Sequence, residues 1–250
     1  MVFGLFQEKL FRSFDEVGVR VRDIYKDGTY LDNNPSWHSE DSQWKAEKII
    51  EILARNTLDT NSICEIGCGA GGVLYELSSQ FSEKEFCGYE ISPQAYELCV
   101  RRDQRENLSF LNKDLLIDDI DPFDLVLSID VFEHVEDCFS FLRQLKDKGE
   151  YKLFHIPLDL SVQKLLRGYP LLRSRRRLGH IHYFTKDLAL ELLEDCGYSV
   201  VDYCYTNSLD IPGQDWKTKL VRYPIKLCYL LNKDIAVRLL GGYSLMVLAK

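Results

Sequence analysis

The sequence lacks the paired cysteines that hold structural metal ions. Its eight cysteines include no C-x-x-C pair, so their spacing gives no support for a zinc site and no metal is predicted. The cysteines are instead scattered through segments with strand and helix patterns. We therefore expect most of them to be small buried hydrophobic residues in a reducing compartment.

Long hydrophobic runs are absent as well. No stretch approaches the roughly 18 apolar residues that a membrane-spanning helix needs. The N-terminal stretch MVFGLFQEKLFRSF has neither the basic start nor the continuous apolar centre of a signal peptide. These features predict a cytoplasmic protein.

Basic residues are too few for a protein whose main task is to bind nucleic acid. The chain has 31 Lys and Arg against 39 Asp and Glu, a formal net charge of -8. Because phosphate contacts need a basic surface, nucleic acid is not an expected partner. The apolar fraction of 46% and the charged fraction of 28% are typical of a globular protein with one large domain.

Residues 1–61 have helical patterns and are expected to form an N-terminal cap. One apolar stripe recurs at three- and four-residue spacing: Phe3, Phe6, Leu10, Phe14 and Val17. After a loop broken by Pro35, a second helix carries four apolar residues on one face: Ala46, Ile49, Ile50 and Leu53. We expect the first stripe to pack on the main domain, with membrane contact as the alternative.

Strands and helices alternate through the second unit, residues 62–250. Seven segments have strand patterns, from SICEI to the terminal GGYSLMVLAK. This order predicts an α/β fold with a mostly parallel sheet and helices on both faces. Insertions near residues 157–184 and 206–241 interrupt the alternation. Since each follows a strand end on the ligand side of such a sheet, we expect lids or acceptor-binding segments there.

The stretch CEIGCGAGG, residues 64–72, fits two cofactor-binding patterns. Three of its glycines, the last being Gly72, give the G-x-G-x-x-G of a dinucleotide-binding turn, which predicts hydride transfer. Glu65 and the first three glycines give E-x-G-x-G-x-G instead. In both patterns an acid follows at the end of the second strand. Glu90 has this position and could accept hydrogen bonds from both hydroxyls of a cofactor ribose.

Three features separate the two patterns. Glu65 could help to hold a cationic amino-acid group, whereas it would repel a pyrophosphate. Asp114 follows the third strand with Leu115 beside it, and the fourth strand continues as FDLVLSIDVFEHVED. In this order the segments resemble the motifs of class I S-adenosylmethionine-dependent methyltransferases that act on small molecules, including those of ubiquinone biosynthesis.

The resemblance covers roughly residues 60–205 and 243–250. It implies a Rossmann-like sheet of seven strands with an antiparallel last strand, and S-adenosylmethionine as cofactor, with Asp114 and Leu115 at the adenine. The cofactor-binding residues would be Glu65, Gly67, Cys68, Gly69, Glu90, Ile91, Asp114, Leu115 and Asp130. In the N-terminal segment, Lys45 could pair with the cofactor carboxylate and a Trp could cover its exposed face, or these side chains could be structural.

Four histidines are candidates for the general base that a hydroxyl acceptor would need. They are His134 after the fourth strand, His155 at the end of the fifth, and His180 and His182 in GHIHYF. His134 is the first choice and His180 the second. Alternation along an extended segment would give His180 and His182 a shared environment. A structural role for each histidine remains the alternative.

A metal could bind at the start of the predicted helix after the fourth strand. Asp130 and His134 have the four-residue spacing that lets two side chains share one ion on a helix. Acids are also favoured at such a helix start by the helix dipole alone. We therefore keep the metal as an alternative only.

The first insertion carries five arginines in an otherwise acidic protein: Arg167, Arg173, Arg175, Arg176 and Arg177. Arginine suits phosphate and carboxylate groups, although a run of charge is also typical of a solvated face. The second insertion interleaves Lys and Arg with Trp, Tyr and Leu, a mixture that could close over the acceptor or rest on an anionic membrane.

The sequence therefore predicts O- or N-methylation of a small acceptor that is anionic or linked to a sugar or lipid phosphate. Peripheral membrane contact is a further expectation. An NAD(P)-dependent oxidoreductase and a non-catalytic binding subunit are the alternatives.

Overall fold

The computed structural model describes residues 25, 28–37, 39–207, 210, 225 and 227–250. The predicted apolar stripe lies outside these residues (Phe3, Phe6, Leu10, Phe14 and Val17), as do residues 211–224 of the second insertion. Within the described part of the chain, no helix is long and apolar enough to cross a membrane.

One seven-stranded sheet organises the described residues. Its strands are β1 Ser62–Ile66, β2 Glu85–Tyr89, β3 Leu108–Leu111, β4 Phe123–Ile129, β5 Gly149–Pro157, β6 Val200–Asn207 and β7 Tyr243–Ala249. They follow the order β3-β2-β1-β4-β5-β7-β6. The first five pair in parallel, whereas β7 runs antiparallel to both β5 and β6. The predicted α/β fold with an antiparallel last strand is confirmed.

The helices begin where local chemistry favours them. In the described residues they are α1 Thr29–Asn33, α2 Ser42–Arg55, α3 Gly72–Gln80, α4 Pro93–Val100, α5 Cys138–Leu145, α6 Val162–Arg167, α7 Tyr169–Arg173, α8 Lys186–Asp195 and α9 Lys233–Leu240. At the start of α4 the Ser92 hydroxyl accepts a hydrogen bond from the backbone of Ala95, and Pro93 occupies the first position. Thr185 caps α8 in the same way.

Two apolar layers cover the two faces of the sheet. In β4 the side chain of Val126 packs in one layer, with residues of α5 and α8. Leu125 and Leu127 pack in the other, with residues of α2 and α3. The buried face of α2 includes Ala46 and Ile49, as the spacing predicts. Although the boundary at residue 61 stays a prediction, α2 thus shares the core of the sheet.

The helix after β4 begins later than the sequence predicts. A single 3-10 turn, Phe132–His134, comes first, and α5 starts only after Asp137, whose carboxylate accepts a hydrogen bond from the backbone of Ser140 at 2.9 Å. Asp130 has φ +54°, outside the helical region. The helical spacing that would let Asp130 and His134 share an ion is therefore wrong.

Candidate active site

The carboxyl ends of the central strands open into a cavity of about 370 Å³. One wall is the glycine turn after β1, and the opposite wall is the start of the first insertion. Eight of the twelve predicted site residues line the cavity: Lys45, Glu65, Gly67, Cys68, Gly69, Asp130, His134 and His180. The site thus lies at the sheet edge where parallel α/β folds bind their ligands.

The glycine turn is held against β2 and covered by an aromatic side chain. Gly67 and Gly69 have φ +65° and +57°, values that other residues rarely adopt. The backbone N–H of Cys68 donates to the carbonyl of Tyr89 at 3.1 Å. A Cβ on Gly69 would lie 2.6 Å from Cδ1 of Trp37, so only glycine lets Trp37 pack here.

Glu65 is a buried carboxylate with an unsatisfied oxygen beside the cavity. Its side chain is 3% exposed, and Oε2 has no hydrogen-bond partner among the residues that the structure describes. Burial raises the pKa of Glu65 to about 8, the charge of Glu90 adds to this, and Lys45 opposes it. A cationic ligand would relieve this cost, so Glu65 fits the cationic amino-acid end of S-adenosylmethionine.

Glu90 ties the glycine turn to the end of β2. Its Oε2 accepts from the backbone N–H of Gly69 at 2.9 Å, and its Oε1 accepts from that of Ser92 at 2.7 Å. Burial raises the pKa of Glu90 to about 7, although both N–H groups lower it. Glu90 is 5% exposed and does not line the cavity, so its hydrogen bonds to ribose hydroxyls stay a prediction.

Four predicted cofactor residues do not line the cavity: Glu90, Ile91, Asp114 and Leu115. Ile91 is 43% exposed just beyond β2, and Leu115 is fully buried in the core. One oxygen of Asp114 accepts from the backbone of Leu116 at 3.0 Å. The roles of Asp114 and Leu115 at the adenine, and that of Ile91 in cofactor binding, stay predictions.

Lys45 lies at the cavity wall between two carboxylates. Its ammonium is 3.1 Å from Asp41 and 2.8 Å from Asp130. Burial would lower the pKa of Lys45, but these ion pairs hold it above its usual range. Asp130 also lies 2.7 Å from Nδ1 of His155, whose Nε2 is 2.9 Å from the Thr206 hydroxyl. This network joins α2, β4, β5 and β6 and gives both ring nitrogens of His155 a partner, although His155 also lines the cavity, so its role stays a prediction.

His180 forms a buried pair with Asp159 on the opposite wall. Nδ1 of His180 is 2.7 Å from Oδ2 of Asp159, while Lys164 pairs with the other oxygen. Although burial opposes it, the hydrogen bond from His180 and the charge of Lys164 lower the pKa of Asp159 to about 2. Because an ionised carboxylate can only accept hydrogen bonds, Nδ1 of His180 must be the donor. Nε2 of His180 is then left as a hydrogen-bond acceptor.

Asp159 is a site residue that the sequence analysis missed. It lines the cavity two residues after the end of β5. The available signal was its position, because a carboxylate just beyond a parallel strand lies at the ligand edge of the sheet.

His134 contacts His180 directly. The two rings are 4.8 Å apart and meet edge to face. Nε2 of His134 is 3.7 Å from a carboxylate oxygen of Glu133. Glu133 is 1% exposed, and neither of its oxygens has a hydrogen-bond partner within the described part of the chain. Burial, with the charge of Asp130, raises the pKa of Glu133 well above its usual range. Among the described residues, the side chains close enough to share a metal ion are Glu133, His134 and His180, and Asp130 is not one of them.

The expected shared environment of His180 and His182 is wrong. His180 lines the cavity, whereas Nε2 of His182 is 2.8 Å from the carbonyl of Val135, beside a second depression. The segment is not a strand. The N–H groups of Ile181 and His182 both donate to the carbonyl of Glu133, which bends the chain between the two histidines.

Aromatic residues of the N-terminal segment bridge the two walls. Trp37 packs on Tyr30 with the ring centroids 4.7 Å apart. Tyr25 accepts from the Ser92 hydroxyl through its carbonyl at 2.7 Å and donates from its own hydroxyl to the carbonyl of Leu178 at 3.1 Å. Trp37 and Trp44 both line the cavity, and which of them would cover a cofactor stays a prediction.

Gly72 has a packing role. It is the first residue of α3, and a Cβ added to it would lie 2.1 Å from the Ser42 hydroxyl of α2. Contact between the two helices accounts for this glycine without a dinucleotide.

Solved structures share the fold. One chain of a Haloferax volcanii complex that contains a methyltransferase activator aligns over 92% of this chain and 96% of its own length, at 19% identity and a TM-score of 0.61. Magnesium protoporphyrin IX methyltransferase from Synechocystis, solved with S-adenosylhomocysteine, aligns over 97% of this chain and 98% of its own, at 17% identity and a TM-score of 0.57.

Sequence comparisons show the family. (S)-coclaurine N-methyltransferase of Thalictrum flavum subsp. glaucum is 25% identical over 95 residues, which cover 36% of this chain but only 26% of that enzyme. Residues 37–203, more than half of the chain, match the methyltransferase domain family. At the level of the family, the predicted enzyme class and its cofactor S-adenosylmethionine are confirmed. The chain belongs to the methyltransferase domain family.

Proposed function

We propose that this chain transfers a methyl group from S-adenosylmethionine to an oxygen or nitrogen of a small anionic molecule. The observation that carries the proposal is one cavity with two chemically opposite walls. The unsatisfied carboxylate of Glu65 lies on one wall, and the His180–Asp159 pair lies on the other. A cationic methyl donor would meet the carboxyl group of Glu65, and the proton of an acceptor hydroxyl would meet Nε2 of His180.

The residues present fit the cofactor. Glu65 would pair with its cationic amino-acid end, Glu90 would accept the ribose hydroxyls, and the glycine turn would let it approach the backbone. S-adenosylmethionine supplies an electrophilic methyl group on a sulfonium, and the protein supplies position and electrostatics. Lys45, whose ammonium lies between Asp41 and Asp130, would have to leave one of these ion pairs to bind the cofactor carboxylate.

His180 would act as the general base when the acceptor is a hydroxyl. The acceptor proton would move to Nε2 of His180 as the oxygen attacks the methyl carbon, and Asp159 would stabilise the resulting imidazolium. His134 is the first choice from sequence, but its Nε2 is 3.7 Å from the nearest carboxylate oxygen of Glu133, whereas Nδ1 of His180 is 2.7 Å from Asp159. His134 would then position the His180 ring through their 4.8 Å contact.

The acceptor would be anionic because basic side chains border its side of the cavity. Lys164 lines the cavity, as do Ser174 and Leu178, which flank Arg175, Arg176 and Arg177. The arginines are exposed at the mouth, where they could meet a phosphate or carboxylate.

A calorimetric titration with S-adenosylhomocysteine, with NADH in parallel, tests the cofactor. We expect micromolar binding of S-adenosylhomocysteine alone, and its loss in Glu90→Ala. Binding of NADH alone would reverse the assignment. Labelled methyl donor and a panel of sugar phosphates, lipid phosphates and hydroxy acids then test turnover; binding without any transfer would favour the non-catalytic alternative.

A further inference from the structure

Exposed apolar side chains are concentrated in two segments that pack together beside the cavity. Ten of the seventeen exposed large hydrophobic side chains of the described residues fall in 162–172 and 227–239. The two segments meet through α6 and α9, and the Gln163 amide donates to the carbonyl of Leu240 at 3.3 Å. We call residues 162–177 and 227–239 the outer surface.

The protein core does not account for these side chains. In α9, Ala236 and Val237 are buried against the protein, while Ile235 and Leu239 on the other side are 54% and 47% exposed. Leu166 is 84% exposed in α6, and Leu231 is 81% exposed. A contiguous apolar area of this kind marks a binding surface in a water-soluble fold.

The charge on the outer surface is almost entirely positive. Residues 162–177 contain six basic residues and no acid, in a chain of net charge -8. None of the five arginines in this stretch forms an ion pair with a described carboxylate. The acid in 227–239, Asp234, is already paired with Lys186. Apolar side chains among basic ones are the combination that an anionic bilayer surface binds.

We propose that the outer surface docks on an anionic lipid bilayer, with its leucines in the headgroup region and its arginines at lipid phosphates. The outer surface also contributes Lys164 and Ser174 to the cavity. Docking would therefore turn the cavity mouth toward the bilayer, so the acceptor would be an anionic molecule carried in the membrane. This last step rests on the proposed methyl transfer, whereas the docking itself does not.

Flotation of the full chain with vesicles tests the docking. We expect binding to vesicles of equal parts phosphatidylglycerol and phosphatidylcholine, little binding to phosphatidylcholine alone, and weaker binding as salt rises. Leu166→Glu combined with Leu231→Glu should reduce binding at least about tenfold. Ile117→Glu is the matched control, because Ile117 is 82% exposed beyond β3 at the opposite edge of the sheet.

A wild-type chain that does not float with anionic vesicles would overturn the docking, and so would equal binding by the double variant. Sedimentation velocity tests whether a second copy of the chain binds the outer surface instead. A wild-type dimer that becomes a monomer in the double variant would assign the surface to a second copy and overturn the docking. Titration with S-adenosylhomocysteine in the same samples separates the two proposals. If the chain floats with vesicles but does not bind S-adenosylhomocysteine, only the proposed methyl transfer is overturned. If it binds S-adenosylhomocysteine but does not float, only the docking is overturned.

Discussion

The two walls of the cavity differ in origin and in charge. The wall proposed to hold the cofactor, which we call the cofactor wall, is built from strand ends and the turn between β1 and α3, and its buried acidic groups include the carboxyl groups of Glu65 and Glu90. The acceptor wall is built from short helices inserted between β5 and α8, and its exposed charges are arginines. One wall suits a cation held in a dry site, and the other suits an anion that arrives from solvent or from a surface.

In the proposed function, this difference separates binding of the donor from choice of the acceptor. Strand register fixes the positions of the turn and of Glu90, so the cofactor wall follows from the sheet itself. The insertion is an addition to the sheet edge, and its sequence can vary without disturbing that register. Acceptor specificity should therefore reside in residues 157–180, while cofactor binding should be insensitive to changes there.

Replacing His180 should give the largest effect, because it should lower turnover and leave cofactor binding unchanged. With any hydroxyl acceptor that is methylated, His180→Asn should lower turnover about 10²- to 10⁴-fold, because the base that takes the proton is lost. The affinity for S-adenosylhomocysteine should stay within about twofold of wild type. His182→Asn is the matched control, since His182 lies outside the cavity. Near-normal turnover in His180→Asn would remove the base from the acceptor wall.

Replacing Glu65 should act on the other wall. Glu65→Gln keeps the shape of the side chain but removes the charge, so the dissociation constant of S-adenosylhomocysteine should rise about 10- to 100-fold by calorimetry. Retained affinity in this variant would show that the cationic end of the ligand lies elsewhere.

The pH dependence of binding sharpens this test. With its pKa raised to about 8, Glu65 is mostly protonated at pH 7 without a ligand. A cation favours the ionised form, so binding releases a proton and affinity should increase with pH up to about 8 and then level off. Glu65→Gln should flatten this increase, leaving the smaller share of Glu90, whose pKa is raised to about 7. A pH-independent wild-type affinity would contradict the coupling.

The cofactor wall could be predicted from sequence because its signals are local. Glycine spacing, a strand before it and an acid at the next strand end all lie within 64–90 and require no knowledge of tertiary contacts. The seven strands follow from alternation and apolar segments in the same way. Leu115 follows the third strand as expected and packs in the core, and its place beside an adenine stays a prediction.

The acceptor wall could not be predicted to the same depth because its contacts are long-range. Asp159 meets His180 only after twenty-one residues of insertion fold back. The partners of Lys45 likewise come from different elements, as Asp130 follows β4. Pairings of this kind depend on tertiary packing, which no spacing rule along the chain contains.

Alanine substitutions at two glycines should lower the free energy of unfolding by different amounts, because the space around these glycines differs. Gly72→Ala should lower the free energy of unfolding by about 1–3 kcal/mol, because the new Cβ would meet Ser42 at 2.1 Å. Gly168, between α6 and α7, has open space around it and only a φ of +65°, so Gly168→Ala should cost about 1 kcal/mol. Urea unfolding measures both. Ser42→Gly should restore part of the loss in Gly72→Ala, and an absent rescue would argue against the α2–α3 contact as its cause.

The arginines should give the smallest effect. Changing Arg175, Arg176 and Arg177 together to Ala should raise the KM of a water-soluble anionic acceptor about fivefold with kcat unchanged, since exposed charge contacts are weak and screened. Arg101→Ala, on a remote exposed helix end, is the control. A soluble acceptor assayed without vesicles can feel these residues only by direct contact. An unchanged KM would therefore assign the three arginines to the bilayer alone, and the acceptor wall would begin at Lys164 and His180.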